Sequence, residues 1–386
     1  MLLSHELWFP SNRSFPRVPF LIDLPGATVV PVERSLCAIL VVALISTPVV
    51  RRANTVSAIA LATLGLLIFF DAMRLQPWGY QYLLLLGVLS LHREQTKDGQ
   101  ATEHTLGQSQ IVVAALYIWS GIQKLNFSFS HEVLPKLLDP LQGVLSAIHP
   151  PLVAIGIGVA LVEMFIGCGL LFRRTRELCV WLAVVTHMLI LGLLITGGYN
   201  SVVWAWNAAL PLIVVTLFWR SESAPWLTLR DWSAANRITR LARGGVIVSA
   251  LAPALSFWGW WDMALSGALY SGNTAVAVVR IDDEAYKKLP QTAQRQVFRT
   301  KNSGMQILPL FEWSMAELNV PPYSEPRIFR RLTSQVCKLA EGDTAVELVM
   351  KGRPTILDGS YQVTRASCAE LDAHTDLKTA PGTPLK

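Results

Sequence analysis

Residues 111–126, IVVAALYIWSGIQKLN, form an apolar run that ends in a lysine. With the residues just before it, the run is long enough to cross most of a bilayer, which takes about 20 residues of helix. Lys124 stands near the end of the run, flanked by Gln123 and Asn126. An ammonium beside hydrocarbon is costly unless it snorkels to the headgroups, pairs with a carboxylate or loses its proton. The stretch therefore predicts a membrane helix whose terminal amine either snorkels or belongs to a functional site.

The composition of the whole chain agrees with a membrane protein. Of its 386 residues, 52% are apolar and 16% are charged, whereas soluble domains carry about 25% charged residues. The apolar residues are concentrated in runs, which indicates an integral membrane protein. The net charge of +6 lies in short connections between these runs. It is therefore a signal of membrane orientation and not a nucleic-acid-binding surface.

Four regions follow one another along the chain. Residues 1–34 mix aromatic and basic side chains with prolines, which is typical of a segment lying on the membrane surface. A helical bundle is predicted over residues 35–262, and residues 263–370 predict a small domain outside the membrane. Residues 371–386 have the composition of a disordered tail. The predicted fold class is an all-α polytopic membrane bundle with a small C-terminal α+β extramembrane domain.

About eight transmembrane helices are predicted within the bundle. The apolar runs lie at residues 35–50, 54–71, 77–92, 108–126, 150–172, 177–197, 201–219 and 243–262. Several runs are short, so tilted or partly buried helices are expected. Residues 127–149 are too polar and too often broken by proline to cross a membrane. They predict an interfacial or re-entrant helix over the outer mouth of the bundle.

The charges of the connections predict the orientation. Arginine and lysine gather in the odd-numbered connections, at Arg51, Arg52, Arg93, Lys97, Arg173, Arg174, Arg176, Arg220, Arg230, Arg237, Arg240 and Arg243. The sixth connection, residues 197–200, has none. By the positive-inside rule the odd connections face the cytoplasm. Both termini and the C-terminal domain are then expected on the periplasmic side of a bacterial inner membrane.

The C-terminal region combines strand and helix patterns. Strand-like runs lie at residues 275–281, 345–350 and 361–364. An amphipathic helix is predicted from apolar residues that recur on one helical face, namely Ile328, Phe329, Leu332, Val336 and Leu339. These patterns predict a small α+β domain docked on the outer face of the bundle.

The five cysteines fall into two groups. Cys337 and Cys368 share the outward domain, where a disulfide would suit the oxidising side of the membrane, the alternative being two buried thiols. Cys37, Cys168 and Cys179 lie in apolar runs, where packing as small residues is their usual role. The sequence contains no CxxC, HExxH or glycine-rich phosphate loop, so it offers no metal or nucleotide site.

Polar side chains inside apolar runs are costly and mark the interior of a bundle. At about 1.5 Å per residue, Glu163 and His187 lie about 14 and 15 Å from the cytoplasmic ends of their runs. We expect them to pair as carboxylate and imidazole, either as a clamp between helices or as a proton relay or substrate-orienting pair. Lys124 becomes a general base in an apolar, dry setting and keeps its proton beside opposite charges.

Further polar residues near the membrane are candidates for binding a substrate. They are Asp71, Arg74, Gln76, Tyr80, Trp204, Asn207 and Asp262. Asp71 and Arg74 are three residues apart, so an ion pair that stabilises their turn is the competing interpretation.

Several stretches together resemble a known family. Residues 71–82, DAMRLQPWGYQY, resemble the D-x-x-R-x-Q-P-W-x-Y-Q-Y stretch of bacterial membrane proteins with the HTTM (horizontally transferred transmembrane) domain. That domain is shared with vitamin K-dependent gamma-glutamyl carboxylase. Residues 117–126 resemble the carboxylase's Y-f-x-a-G-x-K-K-L-D stretch. Residues 163–176 and the helix with His187 resemble its L-L-F-F-D-x-x-R span and the following Tyr-Phe-His helix.

The resemblance implies catalytic roles for three residues. Lys124 falls on the lysine proposed to deprotonate vitamin K hydroquinone, while Gln123 replaces the lysine before it and Asn126 the aspartate after it. His187 falls on the family's histidine. An HTTM-type enzyme would act on a quinol-like or other lipid-soluble substrate with Lys124 as general base. His187 and Glu163 would then line or orient the cavity, and vitamin K hydroquinone would be the cofactor by resemblance only.

A second hypothesis belongs to a different class of protein. DoxX and MauE membrane proteins share a G-x-x-K-L helix end, here residues 121–125. A non-catalytic partner of this type would support redox or assembly of an outward-facing protein. It predicts no closed cavity around Lys124 and an aromatic patch on the outward domain. Residues 312–313 and 321–323 are the candidate contacts, unless they are packed in a core.

The partners expected under both hypotheses are the lipid bilayer and, for the enzyme, a lipid-soluble small molecule. Transport is the least supported class because no inverted repeat is visible in the sequence.

Overall fold

The apolar runs of the sequence fold as helices. The computed structural model of the protein describes residues 1–9, 13–20, 26–50, 52–91, 100–230, 237–299, 306–340, 346–372 and 379–382. The helices of its first part are α1 (His5–Trp8), α2 (Gly26–Ser46), α3 (Ala53–Phe70), α4 (Pro77–Leu91), α5 (Gln100–Lys124), α6 (Leu134–Leu137), α7 (Gln142–Ile148), α8 (Leu152–Leu171), α9 (Arg173–Thr196), α10 (Val202–Phe218) and α11 (Arg237–Leu251). A helix therefore lies at each of the predicted runs.

Some of these helices are long enough and apolar enough to span a membrane. Within the described ranges five do so, at Val29–Ser46, Ala53–Phe70, Leu152–Leu171, Arg173–Thr196 and Arg237–Trp258. Helices α4 and α10 are shorter, with 15 and 17 residues. The fold is thus mostly helical and compatible with an integral membrane protein, and the number of about eight spans stays a prediction.

Helix α5 occupies the centre of the bundle and packs most extensively against α8. Glycines make this approach close. A Cβ on Gly121 would lie 2.5 Å from the carbonyl oxygen of Ala160, and one on Gly167 would lie 2.7 Å from that of Ala114. Small residues at a helix crossing let the backbones approach, which is the usual means of helix association in lipid.

The N-terminal segment packs several of its apolar side chains into the protein, and its membrane-surface position stays a prediction. Its apolar side chains Leu7, Trp8, Phe15 and Val18 are buried. Helix α2 begins at Gly26, so the bundle takes in the last part of residues 1–34. The basic side chains Arg13 and Arg17 pair with carboxylates of the protein, which offsets the cost of placing charges beside buried apolar groups.

The region between α5 and α8 consists of short helical pieces, including α6 and α7. Its apolar side chains Leu141, Val144 and Ile148 are exposed. The predicted interfacial position of residues 127–149 stays a prediction.

Some predictions fall outside the described residues. They concern the basic residues Arg51, Arg93 and Lys97, and the disordered tail at residues 373–378 and 383–386. Residues 379–382, which the sequence places in that tail, form a strand instead.

The C-terminal domain is built on a six-stranded sheet in the order β2-β3-β1-β4-β5-β6. Its strands are β1 (Val276–Ile281), β2 (Phe298–Arg299), β3 (Gln306–Pro309), β4 (Val346–Lys351), β5 (Tyr361–Ser367) and β6 (Thr379–Gly382). All neighbouring strands are antiparallel. Its helices are α12 (Asp283–Lys288), α13 (Gln291–Gln294), α14 (Leu310–Leu318), α15 (Pro326–Ala340) and α16 (Cys368–Asp372). The three predicted strands correspond to β1, β4 and β5.

Helix α15 is the predicted amphipathic helix, but one residue that the sequence placed on its buried face is exposed. The buried side chains are Ile328, Phe329, Leu332, Thr333, Val336, Cys337 and Ala340. Leu339 is 41% exposed. The pattern 329, 332–333, 336–337, 340 fits a helical stripe, and position 339 falls on its edge. Cys337 forms a disulfide with Cys368 of α16, as one of the two sequence alternatives predicted.

The C-terminal domain packs against the N-terminal segment and one end of the bundle. The carboxylate of Glu317 accepts hydrogen bonds from the hydroxyl of Ser14 at 2.7 Å and from the backbone N–H of Phe15 at 2.7 Å. Asp262, at the end of the bundle, accepts from the hydroxyl of Tyr323 at 2.6 Å and also pairs with Arg327. The N-terminal segment and the C-terminal domain therefore meet at the same end of the bundle.

Candidate functional site

Lys124 and Glu163 form an ion pair between helices α5 and α8. Lys124 Nζ donates to Glu163 Oε2 at 2.7 Å and to the hydroxyl of Ser120, one turn earlier, at 2.6 Å. The two charged side chains are 9% and 7% exposed. The close crossing at Gly121 shortens the distance that the side chains must span. The amine is therefore held inside the bundle instead of snorkelling outward.

A second polar chain joins helices α5, α9 and α10. His187 Nδ1 lies 2.9 Å from Asn207 Oδ1, and Asn207 Nδ2 donates to the carbonyl of Val203 at 2.9 Å. Because this amide oxygen only accepts, Nδ1 carries the proton of the imidazole. In the neutral ring Nε2 then accepts from the hydroxyl of Tyr117, which lies 2.6 Å away. Both ring nitrogens are engaged, so the ring is fixed in one tautomer.

The pair predicted between Glu163 and His187 is wrong. Glu163 bonds Lys124, while His187 bonds Tyr117 and Asn207. Depth along the helices placed the two residues at one level, but the sequence does not give the rotation of each helix about its axis.

Asp71 and Arg74 also have other partners than predicted. Asp71 accepts from Arg13 at 2.5 Å, and Arg74 donates to Glu33 at 2.8 Å. Arg17 donates to the second oxygen of Glu33 at 3.1 Å. The predicted ion pair within the turn is wrong because the buried N-terminal segment and helix α2 supply these partners. The five charges form two groups, the pair of Arg13 with Asp71 and the cluster of Glu33 with Arg17 and Arg74.

Most of the other substrate-binding candidates make contacts within the protein. Gln76 donates to the carbonyl of Pro321 at 3.1 Å, and Trp204 donates to the carbonyl of Tyr199 at 2.9 Å. Asn207 orients His187, and Asp262 joins the bundle to the C-terminal domain. A role for these residues in binding a substrate stays a prediction.

A cavity lies on the opposite face of α5 from the ion pair. The cavity is small, with a volume of about 30 Å³, and it is partly open to the outside. Its walls come from α4, α5, α11 and the turn at residues 264–267, and Tyr80 is the sequence candidate that lines it. Lys124, Glu163 and His187 do not line this cavity.

The ion pair is suited to proton transfer. Moving the proton from the amine to the carboxylate gives two neutral groups, and in a dry interior this avoids the cost of holding separated charges. Within the described ranges no three His, Cys, Asp or Glu side chains gather as a metal site requires.

Sequence reasoning missed three groups that the structure brings into these clusters. Tyr117 lies seven residues before Lys124, or two helical turns, and so shares its face of α5. Ser120 lies one turn before Lys124. Glu33 is the third, and a lone carboxylate at the entrance of an apolar run was the signal for it.

No protein-family model, curated protein or solved structure matches the chain. The site is therefore interpreted from its own residues and their geometry.

Proposed function

We propose that the chain is an integral membrane protein of HTTM type that takes a proton from a quinol-like, lipid-soluble substrate. The observation that supports this function is the buried ion pair of Lys124 and Glu163. A lysine that served only to anchor the helix end would reach outward to the headgroups. Here it is directed inward to a carboxylate on the neighbouring helix.

The general base is then the pair and not the lysine alone. Glu163 receives the ammonium proton when a substrate hydroxyl approaches, and Lys124 accepts the substrate's proton. The fixed tautomer of His187 gives Tyr117 a defined orientation beside the pair. The resemblance of residues 71–82 and 117–126 to HTTM proteins adds the quinol-like substrate to this proposal.

The test uses the protein in nanodiscs with reduced 2-methyl-1,4-naphthoquinone as substrate. A deprotonated quinol reacts faster with dioxygen, so oxygen consumption reports proton removal. We expect a rate about 10²-fold above that of empty nanodiscs, the lower range for general base catalysis. The double variant Lys124→Met with Glu163→Gln should return the rate to background, and exposed Lys136→Met is the matched control.

Two outcomes contradict the proposed function. One is a wild-type rate equal to that of empty nanodiscs. The other is full activity of Lys124→Arg, because a guanidinium keeps the charge but does not give up its proton in proteins.

The second candidate, a non-catalytic membrane partner, is favoured by one observation. That hypothesis predicts no closed cavity around Lys124, and the cavity beside α5 is not lined by Lys124. Against it, Trp313 and Tyr323 are buried in the core of the outward domain and are not available as contacts. This candidate predicts that the Lys124→Met, Glu163→Gln protein behaves as wild type with every quinol tested.

The orientation belongs to the same proposal. We place both termini and the C-terminal domain on the periplasmic side of a bacterial inner membrane. Arg173 and Arg176 lie in the first turn of α9, just after α8, and Arg220 lies just after α10. The positive-inside rule assigns these helix ends to the cytoplasm. The contact of Glu317 with Ser14 keeps the N-terminal segment on the side of the C-terminal domain.

A further inference from the structure

An aromatic pair lies at the surface of the bundle, where the first half of helix α9 meets the end of helix α10. The indole of Trp181 is directed edge-on at the indole of Trp219, with ring centroids 5.5 Å apart. Trp181 is 57% exposed, so the pair faces the surroundings of the bundle and not its core. Tryptophan is typical of the level at which a membrane helix meets the lipid headgroups, because its ring is apolar and its N–H is polar.

Two exposed arginines accompany this pair. Arg220 directly follows Trp219, and its guanidinium carbon lies 5.7 Å from the centre of the Trp219 ring. Arg174 lies in the first turn of α9, two helical turns before Trp181, and is therefore on the same face of that helix. Both arginines are exposed. Arg174, Trp181, Trp219 and Arg220 together form the arginine–tryptophan surface.

The segments that carry these residues have a surplus of positive charge. Residues 172–181 and 219–226 contain four arginines and two glutamates, which leaves two positive charges uncompensated. Glu222 lies 3.7 Å from Arg173, and its side chain is 91% exposed. The other carboxylate, Glu177, is exposed on α9. The charge of this end of the bundle therefore complements an anion.

A buried arginine holds the two segments against each other. Arg176 is 2% exposed and donates to the carbonyl oxygens of Leu170 at 2.9 Å, of Ser221 at 2.5 Å and of Ser223 at 3.0 Å. These bonds connect the end of α8 and the start of α9 with the segment that follows α10. The two exposed arginines are thereby kept at one end of the bundle, on neighbouring helices.

Apolar stripes lead away from the arginines along both helices. On α9, exposed side chains follow Arg174 at intervals of three or four residues, namely Leu178, Trp181, Val185 and Leu189. On α10, the exposed side chains one and two turns before Trp219 are Val215 and Leu212. At about 1.5 Å per residue, the stripe on α9 extends roughly 22 Å from its arginine, which reaches from the headgroups to about the middle of a bilayer. Two stripes beside two cations match the two acyl chains and the phosphate of a phospholipid.

From these observations we infer that the arginine–tryptophan surface binds an anionic phospholipid, with the phosphate at the two arginines and the acyl chains along α9 and α10. Guanidinium groups match the geometry of phosphate oxygens, and basic surfaces at the ends of membrane helices recognise anionic lipids. A soluble phosphate would use the arginines but not the apolar stripes, so a lipid is the ligand that we assign. The inference does not rest on the proton-transfer function, since Lys124 and Glu163 lie on α5 and α8.

The test is native mass spectrometry of the full chain in detergent with dioleoylphosphatidylglycerol and dioleoylphosphatidylcholine. The two lipids have the same acyl chains, and only phosphatidylglycerol has a net negative charge. The mass of the bound lipid identifies it, and titration gives the Kd of each lipid. We expect phosphatidylglycerol to bind about 25-fold more tightly to wild type, because each arginine near an anionic lipid contributes about fivefold.

The double variant Arg174→Gln with Arg220→Asn should bind the two lipids about equally. Asparagine is used at position 220 because the backbone φ there is +52°, a left-handed conformation that asparagine tolerates. The matched control, Arg295→Gln with Arg365→Gln, removes the same charge from exposed positions on the C-terminal domain and should keep the wild-type preference. Trp181→Ala should weaken the binding of both lipids alike, since it interrupts the apolar stripe and keeps the arginines. All variants are compared at equal helical content.

The inference is overturned if wild type binds the two lipids equally, if the arginine double variant keeps the wild-type preference, or if the control loses it to the same extent. It is also overturned if Trp181→Ala binds both lipids as tightly as wild type. Glycerol phosphate, which has the phosphate without acyl chains, is added as a competitor and should leave the bound phosphatidylglycerol in place. Displacement at a concentration equal to that of the lipid would assign the arginines to a free phosphate and exclude the lipid.

Discussion

Lys124 and Glu163 place two opposite charges inside the helical bundle, so each depends on the other. Removing one partner leaves the second charge buried and uncompensated, which costs about 3–5 kcal/mol, whereas replacing both with apolar residues is often neutral. We therefore expect Lys124→Met and Glu163→Met each to lower the melting temperature strongly. The double variant should recover most of the loss. Thermal unfolding in detergent, followed by circular dichroism, measures all three.

The partly exposed pair of Arg280 and Glu347 in the C-terminal domain provides the control for this prediction. Its side chains are 27% and 30% exposed, and Glu347→Gln should cost less than about 1 kcal/mol. Equal melting temperatures for wild type, the two single variants and the double variant would contradict this prediction. They would show that neither buried charge depends on its partner.

Glu325 gives a pH dependence to the junction between the bundle and the C-terminal domain. Burial raises the pKa of this carboxyl from about 4.5 to about 7, although the backbone N–H of Met263, which donates to it at 2.8 Å, acts in the opposite direction. The negative charge of Asp262 raises the pKa further, and the charges of Arg327 and Arg353 lower it. A raised folded pKa means that the folded state binds the proton more tightly.

The stability that this proton contributes is fully present below pH 4.5 and is lost as the pH rises through about 7. We expect the wild-type melting temperature to fall by several degrees between pH 5 and pH 8. Glu325→Gln keeps the acceptor for Met263 and cannot ionise, so its fall should be smaller. The exposed carboxylate variant Glu284→Gln should follow wild type. An equal fall in Glu325→Gln and wild type would contradict this assignment.

The close crossing of α5 and α8 depends on glycine at particular positions. A Cβ on Gly167 would lie within 2.7 Å of Ile118 and of the carbonyl of Ala114, while a Cβ on Gly158, in the same helix, meets nothing within 4 Å. We expect Gly167→Ala to destabilise the bundle by about 1–3 kcal/mol through overpacking. Gly158→Ala should be neutral or slightly stabilising, because alanine favours a helix. Equal changes in the melting temperatures of the two alanine variants would contradict the close crossing of α5 and α8.

The contrast between these glycines shows what the sequence conveys at the scale of helices. Hydropathy located a helix at each apolar run, and amphipathic spacing located α15. Neither pattern indicates how each helix is rotated about its own axis relative to its neighbours. For this reason Glu163 was assigned to His187 instead of Lys124, and the role of Tyr117 was not anticipated. Strands β2 and β3 were missed because they are only two and four residues long.

At the scale of the whole molecule, the placement of the N-terminal segment could not be read from the sequence. Aromatic residues beside arginines suit a membrane surface as well as a protein interior. Only the carboxylates of Asp71 and Glu33, distant in sequence, decide in favour of burial for Arg13 and Arg17. The disulfide of the C-terminal domain was one of two open alternatives, since cysteine spacing alone does not fix a pairing.

The proposed orientation makes a prediction for the whole molecule. In spheroplasts of cells whose protein carries Cys168→Ala, Leu357→Cys should react with a membrane-impermeant maleimide, and Glu222→Cys should react only after permeabilisation. Both positions are highly exposed, at 90% and 91%, so reactivity reports the side of the membrane. The reverse pattern would place the C-terminal domain in the cytoplasm.

The bond of Glu317 to Ser14 and Phe15 also has a consequence for biosynthesis. Roughly 300 residues separate its two partners, so the ribosome must add them, at about 5–20 residues per second, before the bond can form. The first residues to leave the exit tunnel therefore wait tens of seconds for their partner. Docking of the N-terminal segment on the C-terminal domain is thus a late step in the folding of this protein.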